Sequence, residues 1–63
     1  PVTVKKIRMK LHASQVTFAH MIGVSVDTLQ NWEQGRRRPE GPALALLKVA
    51  EANPKTVMEA LRP

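Results

Sequence analysis

Three consecutive arginines, Arg36, Arg37 and Arg38, stand just past a glycine in the stretch NWEQGRRRP. A guanidinium stays protonated near neutral pH and offers a planar fork of donors, so a cluster of them suits phosphate and other polyanions. The charge around them points the same way. Residues 1–38 carry Lys5, Lys6, Arg8, Lys10 and the three arginines against Asp27 and Glu33, whereas Lys48, Lys55 and Arg62 balance Glu40, Glu51 and Glu59 in the rest. The whole formal net charge of +5 therefore lies ahead of Pro39. So uneven a field serves a polyanionic partner better than it serves general solubility. Constellations for catalysis are not found. The chain has no cysteine, and His12 and His20 stand apart from any pair of carboxylates. No nucleophile–base spacing or phosphate-cradling glycine loop occurs. The reading is a non-enzyme that needs neither metal nor cofactor.

A charge cluster is selective only if rigid elements hold it beside a reading surface. Helical spacing recurs along the chain and strand alternation does not. Val4, Ile7 and Leu11 share one face of a first helix over 3–11. Ser14 is a good N-cap for a second helix over 15–22, whose apolar face holds Phe18, Ala19 and Ile22. Gly23 can end it in the left-handed conformation. Ser25 caps a third helix over 26–34, with Leu29 and Trp32 inward, and Gly35 stops it. A loop over 36–41, punctuated by Pro39, leads to Pro42, which fits the first turn of a fourth helix over 43–52. That helix has two apolar stripes, Leu44 with Leu47 and Leu46 with Val49 and Ala50. After Asn53-Pro54 a short fifth helix aligns Val57, Met58 and Leu61. The expectation is an all-α, compact five-helix domain filling residues 1–63. At 63 residues its core is thin, which makes oligomerisation an expectation. No apolar run reaches the roughly 20 residues of a membrane helix. The lack of cysteine fits a reducing cytosol.

The second and third helices are joined by so few residues that they must cross steeply and come close at the corner. Ala19 is small where they meet and Gly23 supplies the turn. Phe18, Ile22, Val24, Leu29 and Trp32 are apolar where a helix-turn-helix over about 15–34 must bury side chains.

The segment SQVTFAHMIGVSVDTLQNWEQGRRRP resembles phage-repressor-like (Cro/Xre) helix-turn-helix regulators. The opening SQ, the internal FA, the turn glycine and the closing W-E-x-G-x-x-x-P carry the likeness, and they imply a lambda-repressor-like fold. VSVDTLQNWEQGRRRPEGPALALLKVAEANP is similar, within that group, to antitoxins of the HigA type. Two positions depart from the pattern: His12 stands where the family usually has glycine, and Ala13 replaces a larger apolar residue.

The resemblance implies that the third helix enters the major groove of DNA. Val26, Asp27, Thr28, Gln30 and Asn31 are then the candidate base readers. Asn31 can pair an adenine edge with donor and acceptor together, and Val26 can meet a thymine methyl. Asp27 either accepts from a cytosine amino group or serves the dipole at its own helix start. Gln30 either reads a base or is simply exposed. Gln15, Ser25 and Gln34 occupy phosphate-contacting positions by the same likeness, and Arg36, Arg37 and Arg38 would clamp a flanking strand. Arg8 and Glu33 match residues that pair across the first and third helices. With Ala19, Gly23, Trp32 and Gly35 they form the structural set.

Leu46, Val49, Val57, Met58 and Leu61 offer a two-fold interface on helices four and five, over about 42–62, unless the fifth helix folds back on the fourth. The partners implied are double-stranded operator DNA, a second copy of the chain and a RelE-like mRNA-cleaving toxin. Such a toxin would be held by an extension before Pro1, so no toxin-binding residues are assigned. The setting implied is the cytoplasm, on the nucleoid. A stand-alone repressor would use nearly the same motifs, and a docking domain that had lost DNA binding would not need the charge asymmetry.

Overall fold

In the computed structural model, which describes residues 3–61, five helices follow one another: α1 (Val4–Lys10), α2 (Gln15–Ile22), α3 (Val26–Glu33), α4 (Gly41–Ala52) and α5 (Pro54–Leu61). No strand occurs among the described residues. The expected boundaries shift by a residue or two at four ends, as fraying termini do. Leu11 caps α1 and Gln34 caps α3, rather than extending them, and α4 begins at Gly41 with Pro42 in its first turn. The expected domain spans residues 1–63, with its last helix reaching residue 62; residues 1, 2, 62 and 63 lie outside those described.

The core is built from one face of each helix. Val4, Ile7 and Leu11 come from α1 and its cap, Phe18 and Ala19 from α2, and Leu29 from α3; Leu47 and Ala50 come from α4 and Val57 from α5. Each large member contributes about 1.5–3 kcal/mol by leaving water. Ile22, Val24, Val26, Trp32, Met58 and Leu61 pack half-buried around this centre. The line that α4 buries takes one residue from each apolar stripe, Leu47 and Ala50, and leaves Val49 53% exposed. α5 packs back on α4, α2 packs on α3, and α1 packs on both α3 and α4. This corrects one expectation. Val57 is 4% exposed and belongs to this chain's own core, so it cannot line a surface for a second copy.

The first three helices end by the same device. The N–H of Val24 donates to Ala19 O at 3.0 Å and that of Gly23 to His20 O at 3.3 Å. These are the two bonds of a Schellman stop, and Gly23 closes it with φ 78°. After α3 the N–H of Arg36 donates to Asn31 O and that of Gly35 to Trp32 O, with Gly35 in the left-handed role. At the end of α1 the N–H of Ala13 donates to Arg8 O and that of His12 to Met9 O. His12 has the left-handed role there, at φ 54°. The departure from glycine at His12 is thus a non-glycine residue in a conformation that costs an L-residue roughly 1–2 kcal/mol. Histidine is among the side chains that tolerate it best.

Candidate nucleic-acid interface

The position of α3 starts with its cap. Ser25 Oγ accepts from the N–H of Thr28 at 3.1 Å, and its hydroxyl donates to Thr28 Oγ1 at 2.9 Å. Ser14 repeats both bonds with Thr17 at the start of α2. Ser25, matched to a phosphate-contacting position, is therefore first a cap, with the Thr28 hydroxyl beside it. Asp27 is exposed in the first turn of α3, where a carboxylate is favoured by the helix dipole. Val26 is half-buried against the core, which leaves only part of its side chain to meet a methyl group.

An open concavity brings several of the candidates together. It is lined by Thr28, Asn31 and Trp32 of α3 and by Arg37, Arg38 and Glu40 of the following loop. The residues able to read a base edge and those able to hold a phosphate thus border one another. Trp32, which packs half-buried against the core, lines the concavity as well. Arg36, Arg37 and Arg38 are all exposed, and the ion pair found among the described residues is made elsewhere. Arg36 and Gln34 lie outside the concavity, exposed at the same end of α3.

Gln15 and Gln30 belong to a different assembly. Arg8 Nε donates to Glu33 Oε2 at 2.7 Å and Arg8 Nη2 to Glu33 Oε1 at 3.1 Å, a fork-on-fork pair between α1 and α3. Arg8 Nη1 also donates to the carbonyl of Ala13, at 3.0 Å. Gln15 Nε2 donates to Glu33 Oε1 at 3.2 Å, and Gln15 Oε1 accepts from Gln30 Nε2 at 3.3 Å. Three helices are joined through this chain of side chains. Burial works to raise the Glu33 pKa, but hydrogen bonds from Arg8 and Gln15 and the charges of Arg8 and Lys5 outweigh it. The carboxyl is held below its ordinary value of 4.5.

The bridging role of Gln15 and Gln30 was missed from the sequence. The available signal was the spacing of Gln30 and Glu33, three apart on α3 and hence on one face, where both can meet the start of α2. Of the residues assigned to a two-fold interface, Leu46, Met58 and Leu61 are half-buried and Val49 is exposed. Among the described residues, no group of three or more His, Cys, Asp or Glu side chains is placed to hold a metal ion. No helix among them is long and apolar enough to cross a membrane.

Comparison with known proteins fits this geometry. No solved structure matches the chain. Antitoxin HigA-2 of Vibrio cholerae serotype O1 is 40% identical over 57 residues, which span 90% of this chain and 55% of that protein. The chain thus spans about half the length of this curated relative. The helix-turn-helix family model matches residues 4–52, from the start of α1 to the end of α4. With the match running through both helices of the corner at Gly23, the chain belongs to the helix-turn-helix family.

Proposed function

We propose that this chain is the DNA-binding part of a HigA-type antitoxin, which binds the operator of its own operon as a dimer and neutralises a RelE-like mRNA-cleaving toxin. The observation that carries the DNA-binding half is the shared border of Thr28 and Asn31 with Arg37 and Arg38 around one concavity. With α3 in the major groove, Asn31 meets a base edge while the arginines meet the adjoining phosphates. The antitoxin half draws on the likeness to Antitoxin HigA-2. Nothing in the reading requires catalysis. The second copy docks on α4, where Val49 is a large apolar residue left exposed, with half-buried Leu46 of α4 and Met58 and Leu61 of α5 as the further candidates. Two half-sites about one helical turn apart are the expected target.

Fluorescence anisotropy with duplex DNA from upstream of the protein's own gene tests this, against a scrambled duplex at two salt concentrations. Tighter binding to the upstream DNA is expected, by roughly a thousandfold or more at physiological salt. Equal affinity for both duplexes refutes the operator reading. Co-expression with the adjacent open reading frame tests the toxin half. If the operator is bound but the complete gene product, with whatever it carries before Pro1, relieves no neighbouring product's toxicity, the protein is a stand-alone repressor.

A further inference from the structure

The chain of hydrogen bonds from Arg8 ends on Gln30, among the candidate base readers, and the chemistry of its first link decides which way the last one faces. An ionised carboxylate only accepts hydrogen bonds. Glu33 Oε1 takes one from Arg8 Nη2 and one from Gln15 Nε2. Gln15 must therefore turn its NH₂ group to Glu33, and its carbonyl oxygen is left for a donor. Gln30 Nε2 is that donor, at 3.3 Å. Turning the Gln15 amide over would set a carbonyl oxygen against the carboxylate and an NH₂ against an NH₂. Gln30 is left with its whole carbonyl oxygen and a single N–H, on a half-buried side chain of α3.

We propose that Glu33, acting through Gln15, fixes the amide polarity of Gln30 so that α3 presents an acceptor to an exocyclic amino group in the major groove, that of adenine first. Adenine shows an amino donor at N6 beside an acceptor at N7, which match the free oxygen and remaining N–H of Gln30. Guanine shows two acceptors there, at O6 and N7, and Gln30 lacks the second donor. Gln15 is then a positioning residue for a base reader, whatever phosphate it also meets. The proposal rests on the reading that α3 enters the major groove.

The test is base preference measured position by position, using the whole chain and duplexes derived from its own upstream DNA with one base pair varied at a time. At one position the wild type should prefer adenine to guanine by about tenfold, and Gln30→Ala should lose the preference there alone. The deciding variant is Gln15→Met, which keeps Gln30 and the side-chain length but removes the amide. Its adenine-to-guanine ratio at that position should fall to within about threefold. A weaker grip on phosphate, or a less stable fold, weakens binding to all duplexes alike and leaves that ratio unchanged. Glu33→Gln should relax the same position, because a neutral amide can donate as well as accept and frees Gln15 to turn over. It also serves if Gln15→Met folds poorly. Undiminished selectivity in both variants overturns the proposal, as does a wild-type preference for guanine at the Gln30 position. A wild type with no preference at any position refutes the major-groove reading itself, and the proposal with it.

Discussion

Replacing Arg8 by Met should destabilise the protein severely at neutral pH and much less in acid. The Arg8 guanidinium makes two hydrogen bonds to Glu33 and one to Ala13 O. The Glu33 side chain is 5% exposed and that of Arg8 15%. In Arg8→Met the carboxylate stays in this largely covered site with Gln15 as its remaining donor. Breaking a buried pair on one side costs roughly 3–5 kcal/mol, and the surviving Gln15 bond places this case near 3. A domain of this length has only about 3–9 kcal/mol of stability in all. The pH dependence follows from the depressed Glu33 pKa. In the wild type the unfolded chain takes up the proton first. The pair's contribution is complete above the ordinary glutamate value and is lost as pH falls through the lower folded value. In the variant the Arg8 hydrogen bond and charge that lower the Glu33 pKa are gone while burial still acts to raise it, so protonation should relieve the uncompensated charge. The deficit should be largest near pH 7 and shrink towards pH 4. Urea unfolding followed by circular dichroism at both pH values measures it, with Arg8→Met/Glu33→Leu alongside. The double variant should exceed the single one in stability, since neither charge is left buried alone. An Arg8→Met protein within about 0.5 kcal/mol of wild type at pH 7 would place the pair among surface ion pairs and refute the reasoning.

Gly23→Ala should cost about 1–2 kcal/mol from backbone conformation alone, because a Cβ there meets nothing within 4 Å. His12→Gly, at the matching stop of α1, should instead gain about 0.5–1 kcal/mol, the relief at φ 54° less the added freedom of the unfolded chain. Thermal melts of the two variants should move in opposite directions, and a shift of the same sign in both counts against the account of these stops. Asn31→Ala should weaken binding to operator DNA by roughly 1–3 kcal/mol while sparing random duplexes; equal weakening on both removes its role as a reader. Changing Arg36, Arg37 and Arg38 together to Ala should flatten the dependence of log affinity on log salt by about 0.9 for each phosphate they no longer neutralise. An unchanged slope means that these side chains do not touch the backbone of DNA.

The helices and their corners were legible because their signals are local. Ser14 and Ser25 precede apolar periodic runs and cap α2 and α3 through the residue three further on. Gly23 and Gly35 mark left-handed stops that few other residues take. The third such stop was harder to see, since His12 hides it behind a side chain. The arginines and Asn31 were singled out as candidates from residue type, helix register and the family likeness, and the fold brings Asn31 beside Arg37 and Arg38. Gln15 was read only as a surface group facing phosphate, because the sequence does not say how closely its side chain approaches Glu33 and Gln30.

The sequence by itself determined, to within a residue or two, where the helices begin and end, which face is apolar and where the positive charge gathers. Each of these depends on interactions within a turn or two of one chain segment. Only the tertiary structure decided that Val57 joins the core instead of facing a second copy, since that depends on how α5 folds back on α4. The tertiary structure alone also linked Arg8, Glu33, Gln15 and Gln30 in one polarised chain. Hydrogen bonds fail beyond a few tenths of an ångström from their optimum, so their pattern is set by the crossing of three helices and not by the order of residues along any one of them.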